Sequence, residues 1–295
     1  MQYRTLGRTG LRVSEVGVGG AQFGLTNYMG QWDAFSDKAQ QATTATVHRA
    51  LELGYTYFDT APGYGNGRSE EMVGNALRGR RDQVTIATKV SGGQWTPDAI
   101  RQSVKASLRR LQTDVIDVIQ FHGGMYTGSD VRHLLDEGLL DALCRLRERG
   151  CVRFIGFSVE EPCTALPLIA TGRFDVMQVR YNLIYQSAAL RVLDEARRAD
   201  MGIAVMRPMT SGIFQRLAGY LAPEWHDARD LYEVCLKFVL SDSRVDVANV
   251  GMRWPEEVAR NVRWVESFKP PFDMAELPRM TAAIYKTDDE QHPET

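Results

Sequence analysis

The sequence predicts a (β/α)8 barrel preceded by a β-hairpin, on three observations. Eight short runs rich in β-branched or aromatic residues alternate with eight segments of helical periodicity along 295 residues. The short runs are apolar, as expected of strands that are buried on both faces of a parallel sheet. The alternative, a doubly wound sheet, would have a GxGxxG turn that opens a helix directly after its first strand. Residues 18–24 contain glycines but lack that motif, so the barrel is favoured.

The first half of the chain supplies the hairpin and four strand–helix units. Residues 3–6 and 11–13 flank the turn-forming segment 7–10, which is typical of a β-hairpin. The predicted strands are residues 16–19, 55–59, 84–89 and 115–122. The predicted helices are residues 39–53, 69–78, 97–111 and 131–149. Thr96 is suited to cap the third of these helices because its side-chain oxygen can accept a backbone N–H, and Pro97 suits a first helical turn.

The second half continues the same alternation. The predicted strands are residues 152–157, 174–179, 203–206 and 247–250, and the helices are residues 161–170, 188–199, 231–241 and 255–268. Two long loops interrupt the pattern, one after the first strand and one after the seventh. The prediction is therefore a single domain over residues 1–286. The polar residues 287–295 are expected to be a disordered tail.

Composition excludes several classes of partner. Lys and Arg number 35 against 37 Asp and Glu, so there is no electrostatic reason to expect nucleic acid or an anionic membrane. No apolar run approaches the roughly 18 residues of a membrane span. Arg4, Arg8 and Arg12 interrupt any secretory signal. The four cysteines form no CxxC pair, so we expect reduced thiols, no metal site and a cytoplasmic location.

Three ionisable residues end successive predicted strands: Asp59, Lys89 and His122. In a barrel, the carboxyl ends of parallel strands share one rim, so these side chains should converge there. Tyr64 lies in the next turn beyond Asp59 and can return over the barrel mouth. An ammonium beside a phenol lowers the pKa of the phenol, and a carboxylate keeps that ammonium charged. The set suits proton transfer at a carbonyl oxygen, whereas each residue alone would more often be a structural partner.

The segments that carry these groups resemble those of the aldo-keto reductase superfamily, and the resemblance covers nearly the whole chain. They are residues 58–65 (FDTAPGYG) with Ser69 and Glu70, residues 87–89 (ATK), residues 119–122 (IQFH) and the opening residues 3–14 (YRTLGRTGLRVS). The resemblance implies NAD(P)(H) bound across the barrel mouth without a Rossmann domain, and no metal. It also implies a catalytic tetrad with a tyrosine as general acid/base, which maps onto Asp59, Tyr64, Lys89 and His122.

The resemblance further implies residues for the nicotinamide half of the cofactor. Gln178 and Ser158, which end the sixth and fifth strands, are expected to hydrogen-bond the carboxamide. The asparagine that often follows this serine is Val159 here, so one contact is missing or supplied elsewhere. Met206 or Arg207 stands where the family often has an aromatic that stacks on the ring. Backbone groups near the pyrophosphate are expected from Met209, Ser211 and Gly212.

The adenosine half is expected at residues 251–261. Gly251 precedes a helix N-terminus, which favours phosphate. Arg253 is expected to pair with a 2′-phosphate, and Asn261 to hydrogen-bond adenine. Glu257 departs from the family pattern, because a carboxylate repels a 2′-phosphate but accepts hydrogen bonds from a free ribose diol. Arg253 makes NADP(H) the first choice, with NAD(H) as the alternative.

The substrate is expected to be an aldehyde, a ketone or a sugar, held by Phe23, Trp32 and Met125. The expected function is reduction of a carbonyl to an alcohol by direct hydride transfer, or the reverse reaction on a sugar. One alternative is an NAD-dependent aldose or polyol dehydrogenase. Another is a cofactor-sensing partner subunit with little turnover, as the potassium-channel β subunits of this superfamily are.

Overall fold

A closed barrel of eight parallel strands forms the centre of the computed structural model, which describes residues 1–90, 95–221, 223 and 230–268. The strands in order are β3 (Val16–Gly19), β4 (Tyr57–Asp59), β5 (Thr85–Val90), β6 (Ile116–His122), β7 (Val152–Val159), β8 (Val176–Arg180), β9 (Gly202–Met206) and β10 (Val247–Gly251). Strand β10 pairs with β3, which closes the ring. Two antiparallel strands, β1 (Tyr3–Thr5) and β2 (Arg12–Ser14), form the hairpin. The predicted fold is confirmed.

The helices of the described residues surround this ring. They are α1 (Ala21–Gly24), α2 (Asp37–Glu52), α3 (Arg68–Ala76), α4 (Pro97–Leu111), α5 (Gly128–Asp136), α6 (Leu139–Glu148), α7 (Leu166–Ala170), α8 (Ser187–Leu190), α9 (Val192–Arg198), α10 (Ile213–Leu221), α11 (Leu231–Leu240) and α12 (Pro255–Glu266). Thr96 caps α4 as expected, because its side chain accepts the Ala99 N–H. None of these helices is long and apolar enough to cross a membrane. The expected tail, residues 287–295, lies outside the described residues.

Several predicted elements differ by one or two residues at their ends, and four segments differ in kind. The helix expected over residues 131–149 is two helices, α5 and α6, because Gly138 adopts a left-handed φ of 77° between them. The helix expected over residues 188–199 breaks at Arg191, whose φ is −155°. Residues 161–170 begin as the 3-10 turn Pro162–Ala165 before α7. The first long loop, expected to be irregular, contains the short helix α1.

The hairpin closes the amino-terminal end of the barrel. Leu6 and Val13 are fully buried and pack against the apolar side chains inside the ring, which are Tyr57, Ala87, Val118, Val176, Ala204 and Val247. A Cβ on Gly7 would lie only 2.3 Å from the backbone nitrogen of Gly202, so the hairpin meets β9 backbone to backbone. Because this end is sealed, side chains at the opposite end form the accessible mouth.

Three aspartates repeat one contact at the sealed end. Asp117, Asp175 and Asp246 each stand at or just before the start of an even-numbered barrel strand. Each carboxylate accepts the backbone N–H of an isoleucine on the neighbouring strand: Ile86 at 2.9 Å, Ile155 at 2.9 Å and Ile203 at 2.8 Å. Each also pairs with an arginine, respectively Arg81, Arg147 and Arg197. The repeat satisfies N–H groups where strands begin, which helps to fix the barrel that positions the mouth.

Candidate active site

A cavity of about 790 Å³ opens at the carboxyl ends of the barrel strands. Asp59, Tyr64, Lys89 and His122 all line it, although they come from three strands and one loop. The residues expected to hold the cofactor line the same cavity: Ser158, Gln178, Met206, Arg207, Met209, Ser211, Gly212, Gly251, Arg253, Glu257 and Asn261. The structure therefore brings both expected sets of residues to one place.

Asp59 and Lys89 form a buried ion pair at the centre of this mouth. The Lys89 ammonium lies 2.8 Å from both carboxylate oxygens of Asp59 and 3.0 Å from the Thr60 carbonyl oxygen. Lys89 is only 1% exposed and Asp59 4%. Burial disfavours the charged form of Lys89, but the attraction of Asp59 and Tyr64 outweighs it and raises the pKa of Lys89 above its usual value. The lysine is therefore charged near neutral pH.

Tyr64 lies beside this cation. The Lys89 ammonium is 5.1 Å from the centroid of the Tyr64 ring. The expectation from sequence, a lowered phenol pKa, is wrong: burial raises the pKa of Tyr64, and the Lys89 charge only opposes that rise. Burial has the larger effect because a phenolate at this position would lose most of its hydrating water. Near neutral pH, Tyr64 therefore carries a proton that it can donate.

His122 completes the group. Its ring meets the Tyr64 ring edge to face, with centroids 5.8 Å apart. Burial, and then the nearby Lys89 charge, lowers the pKa of His122 to about 4. The imidazole is therefore neutral near pH 7 and presents one N–H donor.

This pKa predicts a pH-dependent loss of stability. The usual pKa of histidine is 6.5, and that of His122 in the folded chain is about 4. Between these two pH values the unfolded chain binds a proton at residue 122 that the folded chain does not. Stability from this group is therefore complete above pH 6.5 and is lost as the pH falls, by at most about 3 kcal/mol. Urea unfolding of the wild type and of His122→Gln across this range should show the steeper acid loss in the wild type. Parallel curves would contradict the neutral, buried imidazole.

The loop that carries Tyr64 is tied to the strand that carries Lys89. Glu70, in the first turn of α3, is fully buried. Its carboxylate accepts the Thr88 hydroxyl at 2.6 Å and the Arg110 Nε at 2.6 Å. Thr88 is the residue before Lys89. Glu70 therefore ties the start of α3, the helix that follows the Tyr64 loop, to the strand that carries Lys89, and no sequence pattern indicated this role.

Gln178 and Asn249 place uncommitted amide groups at the cavity. The Gln178 Oε1 is buried and, within the described ranges, has no hydrogen-bond partner. The amide nitrogen and oxygen of Asn249, on β10, are also buried and without a hydrogen-bond partner in these ranges. Ser158 Oγ instead accepts the Gly123 N–H at 3.3 Å. Asn249 was not identified from the sequence, because only an inward-facing position on a short strand distinguishes it.

Arg207 is engaged rather than open to a ligand. It adopts a left-handed φ of 55°, and its guanidinium pairs with Glu160, with Nε to Oε1 at 2.9 Å and Nη2 to Oε1 at 2.8 Å. Its Nη1 donates to Ser211 Oγ at 3.1 Å. Met206, the other residue expected to stack on the nicotinamide ring, lines the cavity one position earlier. Glu160, also a lining residue, was not identified from the sequence.

Arg253 is also committed to protein groups. Its Nε donates to the Gln22 carbonyl oxygen at 3.1 Å and its Nη2 donates to the Tyr28 carbonyl oxygen. The guanidinium carbon lies 5.0 Å from the Trp32 ring centroid. The expected pairing with a 2′-phosphate therefore competes with contacts that the side chain already makes. Its backbone N–H is bonded to Glu257 Oε2 at 2.6 Å.

Glu257 and Asn261, the other side chains expected at the adenosine end, both contact protein groups. Glu257 accepts the Trp254 N–H as well, at 3.1 Å, so its carboxylate acts as a helix cap. The Asn261 amide lies 3.1 Å from the Met252 sulfur. Arg260 lines the cavity, its Nε has no hydrogen-bond partner among the described residues, and its guanidinium carbon lies 5.3 Å from the Trp264 ring centroid. Its charge is therefore not paired with a described carboxylate, and no sequence pattern singled it out.

The three residues expected to contact the substrate do not line the cavity. Phe23 is fully buried and Trp32 nearly so, and the Trp32 indole N–H donates to the Phe23 carbonyl oxygen at 2.8 Å. Met125 is 62% exposed, outside the lining. The aromatic side chains pack the loop onto the barrel instead. Other side chains that line the cavity are Leu25, Tyr28, Met29, Tyr232 and Trp254. Among the residues that the structure describes, no cluster of His, Cys, Asp or Glu could hold a metal.

Comparison with known proteins found similar sequences and similar structures. A model described as the Aldo/keto reductase family matches residues 15–223. The chain is 28% identical to L-galactose dehydrogenase of Arabidopsis thaliana, over 89% of this chain and 87% of that protein. It is 26% identical to pyridoxal 4-dehydrogenase of Microbacterium luteolum, over 90% and 94%. A solved aldo-keto reductase from Bacillus halodurans, in its holo form, has 28% identity, a TM-score of 0.74 and 94% coverage of both chains.

Proposed function

The chain belongs to the aldo/keto reductase family, and from that premise we propose that it is an NADP(H)-dependent oxidoreductase that interconverts a carbonyl compound and its alcohol. The carbonyl compound is an aldehyde, a ketone or a sugar. The observation that carries the proposal is the convergence of Tyr64, the Asp59–Lys89 ion pair and neutral His122 on one cavity. These are the groups that proton transfer at a carbonyl oxygen requires.

Each side chain has a distinct part. When bound, the nicotinamide cofactor supplies or accepts the hydride at the carbonyl carbon. Tyr64 donates its proton to the oxygen on which charge develops, and Lys89 stabilises the phenolate that remains. Asp59 keeps Lys89 charged and oriented. His122, neutral at pH 7, donates a hydrogen bond that orients the carbonyl oxygen.

The cavity fits a nicotinamide cofactor. The uncommitted Gln178 oxygen suits the carboxamide N–H₂, because a buried acceptor without a partner is costly until a donor reaches it. Met206 would pack against the nicotinamide ring, and Met209, Ser211 and Gly212, which line the same cavity, would face the pyrophosphate. At the adenosine end Arg260 offers a cation that is not paired with a described carboxylate, which supports NADP(H) over NAD(H).

A second candidate is an NAD-dependent aldose or polyol dehydrogenase. Glu257 presents a carboxylate at the adenosine end, and Arg253 is engaged by backbone carbonyls. Both features suit a free ribose diol better than a phosphate. Two relatives with extensive coverage are themselves named as dehydrogenases, one of L-galactose.

A substrate panel separates these functions. NADPH and NADH are each offered with simple aldehydes, ketones and aldoses, and NADP⁺ and NAD⁺ with aldoses. We expect consumption of NADPH with at least one carbonyl class. Turnover confined to NAD⁺ and aldoses would establish the second candidate. Binding of NADPH without turnover of any carbonyl would contradict both and favour a cofactor-sensing subunit.

A further inference from the structure

Arg253 fixes the first loop, defined as residues 20–32, to the end of β10. The side chain is 6% exposed and donates to backbone carbonyl oxygens of Gln22 and Tyr28, more than 220 positions away in the chain. The Trp32 ring lies under its guanidinium and meets the Trp254 ring edge to face, with centroids 5.7 Å apart. The Arg253 guanidinium therefore contacts two backbone carbonyls and one aromatic face. These contacts hold the first loop near its start, at Gln22, and near its far end, at Tyr28 and Trp32.

The same loop presses against the backbone that carries Tyr64. The Gly20 N–H donates to the Asp59 carbonyl oxygen at 2.7 Å, and Ser69 Oγ donates to the Gly20 carbonyl oxygen at 2.8 Å. A Cβ on Gly24 would lie 2.3 Å from the Tyr64 carbonyl oxygen. A Cβ on Gly65 would lie 2.0 Å from the Gly24 carbonyl oxygen. These contacts leave no free space between the first loop and the Tyr64 backbone, so a shift of the loop displaces that backbone.

We infer that Arg253 is a positioning residue for Tyr64, acting through the first loop, rather than a ligand of the cofactor phosphate. A lysine at position 253 could replace arginine as a ligand of a phosphate, but not as the residue that holds the first loop. An ammonium keeps the charge that a phosphate needs, but it lacks the planar fork that serves two carbonyls while lying on an aromatic face. The inference relies on the proposed function for its kinetic test only.

The kinetic test compares Arg253→Lys with two variants of α12. Arg253→Lys should lower kcat about 10- to 100-fold, because a small displacement of a reacting group has effects of this size. It should leave the ratio of NADPH and NADH dissociation constants unchanged. Arg260→Gln should instead weaken NADPH alone, about 10-fold or more. Arg263→Lys, at an exposed position of the same helix, should change neither quantity. An unchanged kcat in Arg253→Lys, or a ratio shifted towards NADH, would overturn the inference.

A double-mutant cycle tests the path. Gly24→Ala perturbs the loop where it meets Tyr64, and the backbone of Gly24 does not have a positive φ, so its effect is steric. If both residues act through one loop, the losses of kcat in Gly24→Ala and Arg253→Lys should be less than additive when combined. Additive losses would separate the two residues and refute the path.

Hydrogen exchange provides a readout that needs no turnover. Arg253→Lys should speed amide exchange in residues 20–32 and also in residues 60–69, whereas Arg263→Lys should not. Faster exchange confined to the first loop would overturn the link to Tyr64. If the wild type turned over no carbonyl compound, the proposed function would be wrong. Hydrogen exchange would still test the inference about Arg253, because it does not depend on turnover.

Discussion

Tyr64→Phe is expected to lower kcat by about 10²- to 10⁴-fold, the range that a positioned acid/base group contributes. The Tyr64 phenol keeps its proton near neutral pH, because burial raises its pKa, and it is the phenol beside the Lys89 ammonium. Phenylalanine keeps the ring and its edge-to-face contact with His122. Cofactor affinity, measured by fluorescence titration with NADPH, should therefore remain close to that of the wild type.

Tyr126→Phe is the matched control for this loss. Tyr126 is also buried, and its hydroxyl donates to the Phe121 carbonyl oxygen at 3.2 Å, but it does not line the cavity. Removing that hydroxyl should cost about 1 kcal/mol of stability and leave kcat unchanged. Equal kcat values in Tyr64→Phe and the wild type would remove Tyr64 from the acid/base role.

Lys89→Met is expected to abolish turnover and to destabilise the fold. Without the ammonium, Asp59 is a buried carboxylate whose charge nothing compensates, which lowers the free energy of unfolding by about 3–5 kcal/mol. Urea unfolding, together with steady-state rates, measures both effects.

The double variant Asp59→Asn/Lys89→Met separates stability from catalysis. With both charges gone, most of the lost unfolding free energy should return, because neither buried ion lacks its partner. Turnover should stay absent, since no cation stabilises the Tyr64 phenolate. Recovery of activity in the double variant, or a single variant as stable as the wild type, would contradict the assigned role of the pair.

The strand ends and the residues on them were predictable from sequence because both signals are local. A β-branched or aromatic run that ends in Asp59, Lys89 or His122 is visible in a few residues, and the parallel barrel then places those ends on one rim. The break between α5 and α6 was not predictable in the same way. Gly138 lies within a stretch whose apolar residues continue a helical period on both sides, so only its left-handed φ reveals the break.

Long-range contacts determine the features of the site that the sequence did not predict correctly. Arg253 stands before a helix and so suggests a phosphate ligand, yet its acceptors are carbonyl oxygens of Gln22 and Tyr28 at the other end of the chain. Trp32 was expected at the substrate because it is aromatic and lies in a long loop, but packing against the barrel buries it. No local pattern encodes either partner.

The pKa of Tyr64 shows the same limit in electrostatics. The sequence identifies a neighbouring lysine and so predicts a lowered pKa, but it does not reveal how far the phenol is removed from water. In the structure burial is the larger effect, and the pKa is raised. The phenol is therefore neutral near pH 7 and depends on the Lys89 charge to stabilise the phenolate when it gives up its proton.

Transfer of deuterium tests the central claim most directly. NADPH carrying deuterium at C4 of the nicotinamide, on the transferred face, is mixed with a carbonyl compound that the panel shows to be a substrate. We predict that deuterium appears on the carbinol carbon of the product with the wild type and that Tyr64→Phe forms almost none of this product. Deuterium released into water, or equal labelled product from both proteins, would contradict a mechanism in which Tyr64 protonates the oxygen while hydride reaches the carbon.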